Sequence, residues 1–443
     1  MKIVIAGAGE VGSHLAKLLS NESHDIYVID KDESKLAALE NQNLITFVGR
    51  PTSFEVLQRV DVGNCDLFIA VTPFETNNVL ACSMAKSLGT KKTVARIDNY
   101  EFFKEENKSY FESLGVDDLI YPEYLAAQEM MVALKHTWVR NWFEMFHGEL
   151  IVVGVKLRNN AKLLGMKLRD SQNVSGFMHI CAIKRKYDTI IPRGDDEIHE
   201  NDILYIATKV DYLDNVIDVC GKKQSKIEKV MIMGGSRIAK RLVRLSDGKY
   251  EFKIIEIDKS RSIDLAYKLP GCEVVNGDGR DNDILRDEHL ENYDAFVALT
   301  DSSETNILGC LTAKEYGVKK TIAEVENIQF ISEAEGLNIG TIINKKLLAS
   351  SKIFQTLIDN DDSNAKCLAL ADAEVTEMVV KEHSKVTKSP VKDLKLPREM
   401  TIAGLVRDGV GYLVGGNTTL QAGDHVVVFS LSGSMHKLEK WFN

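Results

Sequence analysis

Only seven prolines occur in 443 residues, and no segment is compositionally simple, which argues against a disordered or low-complexity chain. No apolar run approaches the ~20 residues that a helix needs to cross a bilayer. The chain opens on Lys2-Ile3-Val4-Ile5-Ala6, a buried-strand pattern rather than a basic-then-apolar leader. The expectation is a cytoplasmic protein, or one held at a membrane through a partner. A basic excess is missing as well: 55 Lys and Arg stand against 65 Asp and Glu, for a formal charge of −10. That argues against a nucleic-acid partner. The seven cysteines (Cys65, Cys82, Cys181, Cys220, Cys272, Cys310 and Cys367) include no CxxC pair and no nearby spaced histidine. No metal site or disulfide frame is expected, only reduced and mostly buried thiols.

What is present is 44% hydrophobic and 27% charged residues, ample for several cores in a chain of roughly two to four domains. The chain also repeats itself. Asp66–Ile97 aligns with Asp294–Val325 at a constant offset of 228, and 14 of these 32 positions are identical, Thr72, Asn78, Cys82, Gly89 and Thr93 among them. The same offset pairs Asp30 with Asp258 and Gly49 with Gly277, and one residue less pairs Gly7 with Gly234.

Each half divides by texture. Short apolar strands (Lys2–Ala6, Asp25–Asp30, Leu44–Val48, Leu67–Val71, Thr93–Ile97) alternate with helical patterns at Val11–Leu19, Ser34–Glu40 and Asn78–Leu88. That alternation predicts a parallel, doubly wound sheet. After an amphipathic helix at Glu123–Lys135, strands dominate at Leu150–Lys156, Met178–Lys184 and Leu204–Ala207, and the second half follows suit at Met378–Lys381, Thr401–Arg407 and His425–Ser430 before a closing helix at Ser434–Phe442. The fold class is therefore α/β: two tandem units, each a Rossmann-like, doubly wound parallel-sheet N-lobe followed by a small β-rich α+β C-lobe. The expected boundaries are 1–137, 138–224, 225–364 and 365–443, with polar linkers at Gly221–Glu228 and Asp359–Lys366.

Gly7-Ala8-Gly9-Glu10-Val11-Gly12 lies between the first strand and the first helix. There Gly7 makes the tight turn, Gly9 admits a pyrophosphate close to the backbone, and Gly12 lets helix and strand pack. The helix N-terminus offers free N–H groups to the phosphates. Asp30, 18 residues after Gly12 and followed by Lys31, ends the second strand, about where an acid grips ribose hydroxyls. It would repel a 2′-phosphate, which disfavours NADP but leaves NAD, ATP and ADP open. Thr72-Pro73 and Arg96 close the fourth and fifth strands, at the carboxyl ends where ligands sit in open α/β sheets.

The pairing of GAGEVG, Asp30 and AVTPFETNNVLAC with a second copy, MGGSRIA, Asp258 and ALTDSSETNILGC, resembles the tandem RCK (KTN) regulatory subunits of Trk-type potassium uptake systems, over essentially the whole chain. The C-lobe segments Leu163–Leu168, Ile191–Gly194, Glu200–Asp202, Leu394–Leu396 and Gln421–Asp424 also look like that family. The resemblance implies a homotetramer beneath a Trk-type potassium-translocating membrane protein, peripheral at the inner face of the membrane. It also implies NAD(H), or alternatively ATP or ADP, in N-lobe clefts, and no catalytic residues. It assigns binding to Gly7, Gly9, Gly12, Asp30, Gly49, Thr72 and Arg96. With their motif neighbours Glu10, Val11, Lys31 and Pro73, and with Asp258 as the second lobe's acid, these are the candidate cofactor-binding residues. Arg50-Pro51 departs from the family's small residue after Gly49.

Alternatives are an NAD-dependent oxidoreductase and an RCK regulator of another cation channel or antiporter. The former needs a general acid or base beside the nicotinamide, and no histidine falls at a strand end of either N-lobe; His14 and His24 sit on the first helix and its exit. The two N-lobes are expected to be unequal: Gly9 becomes Ser236, Arg50 becomes Asp278 and Arg96 becomes Glu324, each change unfavourable to polyphosphate, while Ala239 replaces the packing glycine Gly12. Trp138, Trp142, Phe143 and Phe146 fall at helical spacing, and with Met130, Met131 and Leu134 they suggest an exposed packing or subunit face. Asp195-Asp196-Glu197 reads as solvated loop charge.

Overall fold

The computed structural model describes residues 1–20, 24–170, 176–186, 188–358, 364–368, 373–431 and 441–442. Two compact units emerge.

The first comprises Met1–Leu125 and the helix Lys345–Ile358. Six parallel strands, β1 (Lys2–Ala6), β2 (Asp25–Asp30), β3 (Ile45–Val48), β4 (Leu67–Ala70), β5 (Lys92–Arg96) and β6 (Asp118–Ile120), run in the order β3-β2-β1-β4-β5-β6. Ile3, Val4, Ile5, Phe68 and Ile69 are wholly buried because helices cover both faces of a parallel sheet. Glu10–Ser20 buries the apolar stripe Val11, Leu15, Ala16 and Leu19. Glu75–Leu88 stops at Gly89, whose φ of 118° is left-handed and suits a residue without Cβ. The strand order reverses between β1 and β4, and that switch point opens the ligand crevice of such sheets.

The helix Lys345–Ile358, which by sequence belongs to the 225–364 N-lobe, packs on Glu10–Ser20 instead. Ser350 Oγ donates to Val11 O at 3.5 Å, and Lys346 Nζ bonds the Glu10 carboxylate. The 225–364 stretch therefore does not pack as one body: this helix buries its apolar face against the first sheet's helix, and the described residues of the second unit resume at Asn364.

The second unit holds the other parallel sheet, β12 (Lys229–Met233), β13 (Glu251–Glu256), β14 (Glu273–Asn276), β15 (Ala295–Ala298), β16 (Lys320–Glu324) and β17 (Thr341–Ile343), in the order β14-β13-β12-β15-β16-β17. It also holds two antiparallel sheets. One joins β7 (Asn141–Met145), β8 (Leu150–Lys156), β9 (Met178–Arg185), β10 (Asp188–Ile190) and β11 (Ile203–Thr208) as β10-β9-β11-β8-β7. The other joins β18 (Asn364–Leu368), β19 (Ala373–Val379), β20 (Met400–Arg407), β21 (Val410–Leu413) and β22 (His425–Leu431) as β18-β19-β22-β20-β21. Their inner faces share one core, with Leu150, Val152 and Tyr205 against Val375, Val427 and Phe429.

The C-lobe motifs close each sheet with the same clasp. Arg185 grips Asp202 through Nε (2.9 Å) and Nη2 (2.7 Å), and Arg407 grips Asp424 at 2.7 and 2.6 Å. Each aspartate also accepts a backbone N–H three residues upstream, from His199 or Gln421. Planar bidentate pairing of this kind is stabilising when the carboxylate is desolvated and fully bonded.

Four expectations are corrected here. The aromatics around Trp142 lie on β7, not on a helix: Asn141–Met145 pairs antiparallel with Leu150–Gly154, so alternate residues face opposite cores. Trp142 packs against the cluster around Ile151 and Leu204, whereas Phe143 and Phe146 pack against the core between the sheets. Met130, Leu134 and Trp138, expected as an exposed assembly face, are 0%, 2% and 8% exposed; the chain covers them itself. The expected linker Asp359–Lys366 enters β18 at Asn364, and the expected strand Met378–Lys381 is the end of β19. The expected closing helix Ser434–Phe442 lies outside the described residues except at its last positions, 441–442. Asp195 pairs with Arg169 at 3.0 Å, and Asp196 accepts the Arg193 N–H at 2.6 Å, so this acidic run is tied to its own loop.

Candidate nucleotide-binding site

In the first lobe the glycines divide by what a side chain would meet. Gly7 has a φ of +112°, and a Cβ there would lie 3.1 Å from Thr72 N; a Cβ on Gly12 would lie 1.8 Å from Gly7 O. Both are required by the fold itself. A Cβ on Gly49 would stand 2.7 Å from Val56 Cγ2, and its N–H donates to Asp30 O at 2.9 Å. Gly9 differs, because a Cβ there meets nothing within 4 Å. The protein's own packing does not call for glycine at that position, which faces open space above the loop. With no side chain, Gly9 also leaves the helix start Glu10–Ser20 without a side-chain cap, so the N–H groups of the first turn remain available to an anion.

Asp30 sits beneath this loop, 9% exposed. Its Oδ2 accepts the Ala8 N–H at 2.6 Å and its Oδ1 accepts the Asp32 N–H at 2.9 Å. Each oxygen retains lone-pair capacity for a hydroxyl. The carboxylate thus fixes the loop to the end of β2 and stays ready to bond a ribose. Glu10 and Val11 contribute differently: the Val11 side chain is buried at 5%, and Glu10 is taken by Lys346. Only their backbone N–H groups are left to serve a ligand. Lys31 and Pro73 are exposed.

Thr72 is a candidate contact at the end of the fourth strand. The structure turns its hydroxyl toward Asn78 Oδ1 (2.6 Å), where the Thr72 N–H also donates (2.9 Å). Asn78 in turn donates to Thr72 O at 3.0 Å and Arg96 O at 2.8 Å, tying the ends of β4 and β5 together. Sequence reasoning passed over Asn78 as a site residue, although its identity with Asn306 across the repeat was the available signal. Arg96 is half-buried, and its Nε makes no hydrogen bond among the described residues. Glu75 caps the next loop, its Oε2 accepting from Asp98 N (2.9 Å) and Asn99 N (2.8 Å).

The second lobe has a cleft of about 300 Å³ lined by Gly235, Ser236, Glu256, Arg261, Asp278 and Arg280, among others. Asp258 is not the counterpart of Asp30, and the expected pairing is corrected. Glu256 ends β13 as Asp30 ends β2, accepting the Gly235 N–H (2.7 Å) and the Asp258 N–H (2.8 Å). Asp258 caps the helix Lys259–Lys268 by accepting the Arg261 N–H at 2.7 Å, as Asp32 caps Glu33–Ala37. A fixed sequence offset misses this because the loop and strand ends slip by two residues between the copies.

Ser236 caps its own helix, its Oγ accepting the Ala239 N–H at 3.3 Å, and so occupies a donor that a phosphate would use. The electrostatic contrast is smaller than sequence suggested. Arg280 pairs with Asp278 through Nε and Nη2, both within 2.9 Å of a carboxylate oxygen, and holds it below the usual carboxylate range. Arg261 lies 3.7 Å from Glu256. Asn306 repeats the Asn78 bracket, binding Thr300 and Glu324 O.

Paired parallel sheets with a glycine loop at the switch point, each followed by a small antiparallel sheet, define a tandem nucleotide-binding regulatory fold. The pattern of the TrkA-N domain matches residues 3–122 and 230–345, and that of the TrkA-C domain matches 152–221 and 375–443. The Trk system potassium uptake protein TrkA homolog 1 of Methanosarcina mazei is 31% identical across the full length of both chains. The Trk system potassium uptake protein TrkA of Haemophilus influenzae is 28% identical over all of this chain and 98% of its own. Among solved structures, the GsuK RCK domain aligns with 100% of this chain and 94% of its own (TM-score 0.60, 14% identity), and the GsuK channel bound to NAD aligns with 100% and 78% (TM-score 0.60, 15% identity). The chain belongs to the TrkA family of Trk potassium uptake proteins.

Proposed function

We propose that this chain is the nucleotide-sensing regulatory subunit of a Trk-type potassium uptake system and works by binding rather than by catalysis. It holds NAD(H), or alternatively ATP or ADP, at the first N-lobe, and passes the binding state to a potassium-translocating membrane protein at the inner face of the membrane. It does so as a homotetramer. The observation that carries the reading is Gly9: an unobstructed glycine at an uncapped helix start, with Asp30 held beneath it and Arg96 at the carboxyl end of β5, on the other side of β4. A diphosphate above Gly9 would meet the first-turn N–H groups, and an adenosine ribose would meet Asp30. The family membership and the NAD-bound fold relative support this reading.

The helix Lys345–Ile358 supplies a physical route outward. Its Lys346 and Ser350 bond the first turn of the phosphate-loop helix, so a ligand that draws on that turn acts on a segment emerging from the second half of the chain. Purified protein analysed by mass spectrometry should carry an adenine nucleotide, and titration should show saturable NADH or ATP binding without NADH consumption in the presence of metabolites. Loss of nucleotide-dependent potassium uptake on Gly9→Val, with the membrane partner co-expressed, tests the coupling. Unchanged nucleotide dependence in that variant would remove the assignment, and turnover of NADH would favour the oxidoreductase instead.

A further inference from the structure

A cavity of about 140 Å³ inside the second unit is lined by seven cationic residues among fourteen; one of the seven, Lys319, pairs with Asp294 at 2.9 Å, and the other six converge on the hollow. Arg140 enters from the start of β7, Lys156 and Arg158 from the end of β8, Lys222 from the linker, Lys314 from the helix Ser303–Glu315, and Lys320 from β16. No carboxylate lines it, and among the described residues none of these six forms an ion pair. Neutral oxygens hold several of them instead. Lys320, 5% exposed, donates to Val139 O (3.1 Å) and Thr137 O (3.3 Å); Lys156 donates to Glu335 O (2.7 Å), and Arg158 to Asn201 Oδ1 (2.9 Å). The nearby acid, Glu335, commits its carboxylate to Lys184 at 2.8 Å.

We propose that this cavity is a second anion site, distinct from the N-lobe clefts, which takes a phosphate or diphosphate group. Three features argue for it. Arginines keep their charge when buried, so Arg140 and Arg158 impose a field that lysine deprotonation alone cannot remove. The hollow is far smaller than the ~300 Å³ at which drug-sized pockets begin, so it suits an oxyanion group and excludes a whole nucleotide. Two guanidinium forks beside ammonium groups match phosphoryl recognition. Burial, and then neighbouring cations with Arg140 first, pushes Lys320 down to about 7; burial with the same crowding brings Lys156 and Lys314 to about 8. An arriving anion would re-protonate them, so binding near pH 8 draws protons from the buffer.

The test is calorimetric titration of the full chain with inorganic diphosphate at pH 8, in buffers of different ionisation enthalpy. The expected result, read in the Gly9→Val chain so that the first N-lobe cleft is blocked, is saturable binding of about one equivalent per chain with net proton uptake. Arg140→Gln with Lys222→Gln should weaken it at least about tenfold in that chain, with NADH binding and thermal midpoint retained where Gly9 is intact. Lys222→Gln alone, on the linker and partly exposed, gives a smaller loss and serves if the double variant fails to fold. Competition by ATP in the Gly9→Val chain assigns the site to nucleotide terminal phosphates, and its absence assigns it to free oxyanions. No saturable binding, or unaltered binding in the Lys222→Gln chain and the double variant, overturns the proposal.

Discussion

The backbone N–H of Gly235 donates to Glu256 Oε2 at 2.7 Å, and a Cβ at residue 235 would stand 2.8 Å from that same oxygen and 2.2 Å from Leu265 Cδ1. The first lobe makes the equivalent bond from Ala8 to Asp30 at 2.6 Å. The longer carboxylate thus comes with the smaller loop residue. Gly235→Ala should destabilise the second lobe by about 1–3 kcal/mol through overpacking. Glu256→Asp in the same chain should return part of that, a coupling of about 1 kcal/mol in a denaturant double-mutant cycle. Strict additivity of the two substitutions would show that the residues do not constrain one another.

Gly9 and Gly12 should separate binding from folding. Gly9→Val places its side chain where nothing lies within 4 Å, so thermal stability should hold while NADH and ATP affinity falls by about 100-fold or more. Gly12→Ala drives a methyl into Gly7 O and should lower stability by at least about 2 kcal/mol. Scanning calorimetry beside ligand titration reads both effects. A Gly9→Val chain that binds normally leaves the first cleft without a ligand.

Asp30→Ala should weaken NADH and ATP alike, on the order of 2–3 kcal/mol for the lost charge-assisted bonds. Lys346→Met should discriminate between the ligands. Without its lysine, the Glu10 carboxylate stands unscreened at the helix start and opposes the more highly charged ATP, by about threefold to tenfold, the size of a surface charge pair. Glu10→Gln in the same chain should restore ATP affinity, and failure to restore it would place the lysine's effect elsewhere.

Much of this was legible in the residues. The duplication, the alternation of strands and helices, and the glycine spacing follow from local pattern, and the sheet orders agree with them. What was not legible depended on long-range packing. A helix written after the second sheet, Lys345–Ile358, carries the same amphipathic signal whichever lobe it covers, so only the folded chain shows it against Glu10–Ser20. The helical spacing of Trp138, Trp142 and Phe146 is also consistent with a strand flanked by turns, and pairing of Trp142 with Val153 decided the matter. Glu256 was overlooked because alignment by identity favoured Asp258, whereas the site selects by strand end.

Glu129, on the helix Pro122–Lys135, is raised by burial from 4.5 to about 7. The folded chain therefore binds this proton more tightly than the unfolded chain does. The contribution to stability is full below pH 4.5 and is lost as pH rises through about 7. Glu129→Gln should remove this slope and leave the variant more stable than the parent at pH 8, on the order of 2–3 kcal/mol at most. Thermal midpoints of parent and variant at pH 5, 6, 7 and 8 give the comparison, in which the difference should grow with pH; a difference independent of pH would mean that the carboxyl is solvated.

The two N-lobes should bind polyphosphate unequally, with the first stronger. The reason is no longer mainly charge. Asp278 is neutralised by Arg280 within the cleft, so the exchange of Arg50 for an acid subtracts less than the bare substitution implies. What remains is geometric: Ser236 engages the Ala239 N–H at 3.3 Å, and its side chain stands where Gly9 leaves open space. Replacing a serine cap by glycine costs only about a few tenths of a kcal/mol, so Ser236→Gly should lower second-lobe stability slightly while freeing a phosphate donor. Separately expressed halves cut near residue 224 would leave the first unit without the helix Lys345–Ile358. The intact chain serves better. ATP titration of the parent should show about one strong equivalent per chain, Gly9→Val should abolish it, and Ser236→Gly should add a second, weaker phase. Two equal strong sites in the parent, or a strong phase that survives Gly9→Val and disappears with a bulky residue at 236, would reverse the assignment of the lobes.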